Sequence, residues 1–411
     1  MNPRIKIESD GQRVAHCDNF VVRSAFQPVI SVAHQRVVGY EGLARVTNGA
    51  GVVLEPADLF NAVDDIESLV AIDRVCREIH LGNFAHADLH PSWLFLNVHP
   101  MVAMHGHQFG PFFAQVLQQL QIDGWQVVIE IVEAELPDES LLSDAIALYR
   151  SLGCLVALDD FGIGGSQFTR LWRIDADIVK LDRSLILEAE QSVRAQRTLP
   201  SLVAMIHEAG SLVLQEGIET QHQLALALSS GVDLLQGFGL ARPALIEQDE
   251  PFNRDFLAQG LAASTKEADR VDNLLHQQIM AVTERFEDML VALERNVPLE
   301  VAAQAILSMK MVARVFVLDG EGRQQGDTVN GIFAPPSINN RFRPLAKAKG
   351  ASWAKRPYFR RAMIEQGLVQ ISRPYLSVAG GNLCRTISYA RPHVGHLGIK
   401  VVCCDINWTD L

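Results

Sequence analysis

The chain of 411 residues is 48% hydrophobic and 20% charged, with a formal net charge of -12; its length predicts two or three domains, and the acidic balance excludes unspecific nucleic-acid binding. No apolar run approaches the roughly 18 residues needed to span a bilayer. The first residues, carrying Glu8 and Asp10, do not read as a secretion signal, so a cytoplasmic protein with no membrane partner is expected.

In chain order, residues 20–30 (FVVRSAFQPVI) and 36–45 (RVVGYEGLAR) predict two antiparallel strands joined by a short turn. Helices are expected near Pro56 to Ala62 and over Ile66 to Phe84, where Leu69, Ile72, Val75, Cys76 and Ile79 recur at helical spacing. A regular pattern then sets in. Apolar runs close on polar residues: WLFLN on Asn97, VVIEIVE with Glu130 and Glu133, and CLVALDD on Asp159 and Asp160. IVKLD follows with Lys180 and Asp182, LVLQEGIE with Glu216 and Glu219, and LLQG with Gln236. Helical segments such as Asp138 to Leu152, Val193 to Ala209 and Gln221 to Leu228 lie between them. This alternation predicts a barrel of strands and helices, which gathers all its strand C-termini on one face. A doubly wound open sheet would gather only two or three.

From Pro243 to Gln259 the pattern ends. Ser264 and Glu267 read as the capping box of a long helix, with Val271, Leu275, Ile279, Val282, Phe286, Met289, Leu290 and Leu293 as its apolar stripe and Pro298 as its stop. Such a helix is either a packed spacer or half of a dimer interface. Beyond it, VARVFVLDGEGRQ predicts strand, turn, strand; LVQISRPYLSV, CRTISYARP and LGIKVVCCDI predict further strands, and Ala351 to Met363 a helix across the sheet. The expected division is therefore a barrel over residues 1–250, a connecting helix over 251–299 and a sensor-type α+β domain over 300–411.

The stretch from Cys154 to Ser166 focuses the chemistry. A strand-like apolar run stops at two adjacent carboxylates and a glycine-rich turn, and carboxylates side by side raise one another's pKa unless a cation sits between them. With Glu41, Asn97, Glu130 and Glu216 at the other strand ends, the donors are all hard oxygens, the preference of Mg²⁺ or Mn²⁺ and not of zinc. Two divalent ions plus Lys180 would nearly balance five acids, and a two-metal site of that kind hydrolyses phosphodiesters. Lys180 leaves two readings open, a Schiff-base nucleophile of an aldolase or a charged group that positions water or phosphate. Five histidines, His86, His90, His99, His105 and His107, have spacings that fit loops and a helix end and are expected to be solvated, not zinc-bound. The six cysteines read as buried free thiols.

The ordered motifs EGLAR (41–45), LNVHP (96–100), IEIVE (129–133), DDFGIGGS (159–166), VKLD (179–182), QEGIET (215–220) and QGFGLARP (236–243) resemble the EAL family of cyclic di-GMP phosphodiesterases over about residues 20–245. The resemblance implies a modified TIM (β/α)8 barrel with an antiparallel first strand, hydrolysis of cyclic di-GMP to linear pGpG, and two Mg²⁺ or Mn²⁺ ions. By the same resemblance Glu41, Asn97, Glu130 and Asp159 would hold one ion, and Asp159, Asp160 and Glu216 the other. Lys180 and Glu216 would serve the attacking water, and Glu133 would brace the glycine-rich loop. Gln27, Leu43, Arg45, Asp182 and Gln236 would touch substrate. The triplet here is Glu-Gly-Leu instead of Glu-Ala-Leu, and Ile163, Gly165 and Gln167 depart from the usual loop. The C-terminal unit resembles the PAS- or Cache-like domains found beside such barrels, as in YkuI-type EAL proteins. There Trp353, Arg356, Tyr358, Tyr375 and Asp405 form the candidate sensor site, with Arg356 and Asp405 clasping a small polar effector. A homodimer is expected. The competing function is a receptor that binds cyclic di-GMP without cleaving it.

Overall fold

The computed structural model describes residues 3–87, 92–105, 111–132, 139–163, 167–245, 252–333, 347–378, 382–391 and 400–408. The chain divides into two compact units, Met1–Ala268 and Asp269–Leu411.

In the first unit a hairpin of β1 (Arg4–Ile7) and β2 (Arg13–Cys17) leads into the long antiparallel pair β3 (Phe20–Ser31) and β4 (Arg36–Asn48), to which short β5 (Val53–Leu54) is added. The strands β6 (Trp93–Val98), β7 (Val127–Val132), β8 (Leu155–Phe161), β9 (Ile178–Leu181), β10 (Leu212–Gln215) and β11 (Leu234–Leu235) then run parallel to β4. β11 pairs antiparallel with β3, and β3 pairs with β4. The sheet thereby closes into a barrel of eight strands with β3 as its one reversed member, as the hairpin and the alternating pattern predict.

Strand alternation builds the barrel in two layers. Val29, Phe95, Val128, Ala157, Ile178, Leu214 and Leu234 point inward and form one buried apolar cluster. Two residues further toward the mouth the inward positions are Gln27, Asn97, Glu130, Asp159, Lys180, Glu216 and Gln236, with Glu41 supplied by β4. The outward residues between them, such as Leu96, Ile129, Leu158, Val179 and Val213, pack under the surrounding helices. The helices over Ile66–His86, Glu139–Ser151, Val193–Glu208 and Gln221–Ser230 match the expected segments.

The long helix runs from Arg254 to Glu294, so Ser264 and Glu267 lie inside it and do not cap it. Its start is set by Asn253, whose Oδ1 accepts from the Phe256 N–H at 3.0 Å, and by burial of Phe252 and Leu257 in the barrel core. Gly260 belongs to this interior turn: a Cβ there would meet Leu224 Cδ2 at 2.2 Å. Among the described residues no helix is long and apolar enough to cross a membrane.

In the second unit β12 (Val312–Asp319), β13 (Gln324–Asn330), β14 (Val369–Ile371), β15 (Tyr375–Leu376), β16 (Leu383–Ala390) and β17 (Lys400–Asn407) form an antiparallel sheet in the order β13-β12-β17-β16-β14, with β15 on β16. Val282, Phe286 and Met289 of the long helix pack on one face with Val315, Ile387, Cys404 and Ile406. The other face carries Phe316, Leu318, Val401 and Cys403 against Tyr358, Phe359 and Ala362. The helix predicted from Ala351 begins only at Pro357 and ends at Ile364. Proline disfavours helical backbone at the residue before it, and Arg356 is the extended N-cap. All six cysteines are buried free thiols, as expected.

Candidate functional site

At the mouth of the barrel Lys180, 1% exposed, is the hub. Its Nζ lies 2.6 Å from Glu130 Oε1, 2.8 Å from Glu216 Oε1, 3.1 Å from Asp159 Oδ1 and 3.7 Å from Glu41 Oε1. Burial alone would lower the Lys180 pKa; the four acids outweigh it and hold the ammonium charged far past its ordinary range. That charge state removes the nucleophilic amine that a Schiff-base aldolase needs.

Glu41 is oriented by two amides. Asn97 Nδ2 donates to its Oε1 at 3.0 Å and Gln236 Nε2 to its Oε2 at 2.8 Å. Burial would raise Glu41, but Lys180 and these amides pull it below the usual carboxylate range. Glu130 is fully buried beneath Glu41 and is driven far up by burial and by its acidic neighbours. Glu216 is raised to about 7 by burial, against the pull of Lys180 and with the help of Asp159 and Glu41.

Asp160 reaches the same pocket through a backbone irregularity. In a regular strand Asp159 and Asp160 would face opposite sides of the sheet. The β8–β9 ladder slips between Leu158 and Phe161, and Asp160 adopts φ +55°, a left-handed conformation that Asp tolerates better than most residues. As a result one carboxylate oxygen each from Asp159, Asp160 and Glu216 lies within 4.8 Å of the others. Burial and the neighbouring carboxylates Asp159 and Asp182 raise Asp160.

The pocket thus holds five acids against one lysine among the described residues, and Glu130 Oε2 is buried with no hydrogen-bond partner there. Excess negative charge, an orphaned acceptor and an all-oxygen donor set fit hard divalent cations.

The remaining predicted residues sit as follows. Gln27 is buried beside Glu41 in register, its Nε2 donating to the Ala241 carbonyl at 3.2 Å. Leu43 and half-buried Arg45 continue β4 past Glu41, and Arg45 Nη1 donates to the Ala44 carbonyl at 3.1 Å. Asp182 is the N-cap of the helix Arg183–Gln191 and accepts from Ser184 N at 2.8 Å. Glu133 lies outside the described residues. So do His90 and His107; His99 stacks on Phe60, and His86 Nε2 contacts the Asp10 carbonyl.

Two contributors, His80 and Gln215, are assigned no role from the sequence. A Cβ on Gly42 would stand 3.1 Å from Cγ of buried His80, so the imidazole occupies the space that the usual alanine of the triplet would need. His80 is held by Ser24 Oγ, 2.8 Å from its Nδ1, and burial, with Arg45 nearby, lowers it to about 3, leaving it neutral. Gln215, fully buried, donates from Nε2 to the carbonyls of Leu181 at 3.2 Å, Asp182 at 3.4 Å and Glu216 at 3.0 Å. It ties the ends of the strands that carry Lys180 and Glu216.

Fold and pocket together define a β/α-barrel protein with a carboxylate-rich, cation-seeking site at its strand C-termini. Residues 14–243 match the EAL domain model, and the chain belongs to that family. It is 25% identical over 387 residues to the EAL-domain protein YkuI of Bacillus subtilis, covering 89% of this chain and 90% of that one. It is 27% identical over 222 residues to the probable cyclic di-GMP phosphodiesterase PdeN of Escherichia coli. The chain spans 43% of PdeN and 29% of the Bacillus subtilis signaling protein YkoW. Its fold superposes on a crystal structure of Bacillus subtilis YkuI in complex with c-di-GMP and calcium with a TM-score of 0.76 at 21% identity, covering 94% of this chain and 96% of the other.

Proposed function

We propose that the barrel hydrolyses cyclic di-GMP to linear pGpG with two Mg²⁺ or Mn²⁺ ions bound. The observation that carries this reading is the convergence of Glu41, Glu130, Asp159, Asp160 and Glu216 on one pocket, with one lysine among the described residues to balance them. Glu41, Asn97, Glu130 and Asp159 would hold one ion, and Asp159, Asp160 and Glu216 the other. Bound there, the ions supply charge neutralisation and an acidified water at phosphorus.

The chain's own groups do the rest. Lys180, charged and 2.8 Å from Glu216, positions the oxygen of the attacking water, and Glu216 accepts its proton. Asn97 and Gln236 hold Glu41 in one rotamer, and Gln215 fixes the spacing of the Lys180 and Glu216 strand ends. Arg45 is the cation beside Leu43 for a non-bridging phosphate oxygen, with Gln27, Asp182 and Gln236 completing the substrate contacts and Glu133 bracing the adjoining loop.

The apolar floor below, from Val29 to Leu234, excludes water from the far side of the pocket. The second unit is read as a PAS- or Cache-like sensor that regulates the barrel; its antiparallel sheet with a helix on each face supports that reading. Incubating the full chain with cyclic di-GMP and Mn²⁺ and resolving the nucleotides by chromatography tests the activity. The reading predicts pGpG from the parent and none from Glu41→Ala. Tight binding of intact cyclic di-GMP without turnover would instead mark a receptor.

A further inference from the structure

The side chains expected to form a sensor site in the C-terminal unit do gather, but they fill their own space. Asp405 pairs with Arg314, its cross-strand partner, at 3.0 Å instead of with Arg356, which lies 5.5 Å over the Tyr375 ring. The room left among them is about 20 Å³, enough for a water or two. A much larger pocket lies in the first unit, on the outside of the barrel. The helices Ile66–His86, Pro100–His105, Phe112–Leu120 and Glu139–Ser151 border about 350 Å³ there, with Val102, Phe113, Leu148 and Leu152 among its walls.

Natural interiors leave few voids larger than a water molecule, and an apolar cavity of about 150 Å³ already takes up benzene. The pocket is therefore the size of a bicyclic molecule. Its charges are spent. Arg77 is held by buried Asp73 at 2.7 Å, and Arg74 and Asp144, also on the lining, are opposite in sign. One hydrogen-bonding function stays open. Tyr149 is 6% exposed, and its hydroxyl oxygen accepts from Arg77 Nη1 at 3.2 Å; its proton therefore points elsewhere and meets no acceptor among the described residues. Burial pushes the Tyr149 pKa up, so the phenol stays protonated. A buried donor without an acceptor is costly, and a ligand oxygen would relieve it.

We infer that this pocket binds a small uncharged molecule of about two fused rings, whose carbonyl or ether oxygen accepts from the Tyr149 hydroxyl while its apolar body lies against Phe113 and Leu152. The anchor belongs to a longer hydrogen-bonded chain. Tyr149 leads through Arg77 to Asp73, whose Oδ1 accepts from the His99 N–H at 3.0 Å. His99 follows closely on Asn97, so the chain ends beside the strand end that carries an expected metal ligand.

The full chain is titrated by calorimetry and by ligand-observed NMR with 1-indanone, with the hydrocarbon indane and with indane-1-carboxylate. The inference predicts saturable 1-indanone binding, at least tenfold tighter than that of the carboxylate. Tyr149→Phe should weaken 1-indanone about fivefold and leave indane within about twofold. Ala114→Phe, which adds a ring to the lining from a half-buried position, should weaken both at least tenfold, each variant keeping the parent's far-ultraviolet dichroism. Four results would overturn it: no saturable 1-indanone signal up to millimolar concentration, the carboxylate matching 1-indanone, Tyr149→Phe changing 1-indanone and indane alike, or undiminished binding in Ala114→Phe.

Discussion

Replacing Lys180 by methionine removes the positive centre of the barrel mouth and keeps its volume. Four carboxylate oxygens then face one another with the nitrogen that lay 2.6 to 3.7 Å from them gone. Breaking a buried charged network by deleting one partner costs about 3–5 kcal/mol. The acids can blunt that loss by binding protons, so its size depends on pH. In the parent, Lys180 has a folded-state pKa above its unfolded one; its contribution is constant below about pH 10 and does not shape the comparison.

In the variant the carboxyl pKa values rise, the folded state binds more protons than the unfolded state, and stability falls as pH rises. The difference between parent and variant should therefore be near about 3–5 kcal/mol at pH 8.5. It should shrink toward pH 5.5 by up to about 1.4 kcal/mol per pH unit for each proton taken up. Urea unfolding followed by fluorescence and circular dichroism in EDTA reads both quantities. A loss below about 1 kcal/mol, or the same loss at both pH values, would refute the electrostatic reasoning.

Other outcomes follow from the same packing. Gly42→Ala should cost about 1–3 kcal/mol by pressing a Cβ on His80, and His80→Ala should relieve it; double-mutant unfolding midpoints that simply add would contradict the contact. The His80 ring should keep its neutral chemical shift between pH 8 and pH 5, since burial holds it at about 3, and an NMR midpoint near the usual value would show the ring to be solvated. Its stabilising neutrality is present above the unfolded value of about 6.5 and is lost as pH falls toward the folded one. Arg77→Met should destabilise by about 3–5 kcal/mol in urea, because Asp73, 2.7 Å from Arg77 Nε and buried, loses its cation; pairing it with Asp73→Asn should recover part of that.

Much of the barrel was legible because period-two alternation is written into each short strand. Phe95 then Asn97, Val128 then Glu130, Ala157 then Asp159 and Ile178 then Lys180 place an apolar floor and a polar rim on the same inward face. What stayed hidden depends on tertiary contact. His80 stands on a helix whose periodicity says nothing about Gly42, and Gln215 points away from the barrel axis, outside the inward series. The left-handed turn at Asp160 is a property of the slipped ladder and not of its residue type. Ser264 and Glu267 carry a valid local cap signal, but the helix is already propagating when it reaches them, held by Leu257 and Gly260. Arg314 lay in an apolar strand segment, and its role emerges only from the register that sets it opposite Asp405.

Anomalous diffraction at the manganese edge, from crystals of the full chain grown with Mn²⁺ and cyclic di-GMP, tests the account at its centre. It predicts two manganese peaks enclosed by Glu41, Asn97, Glu130, Asp159, Asp160 and Glu216. An ordered pocket with no manganese in it, or manganese bound only elsewhere on the chain, would contradict it.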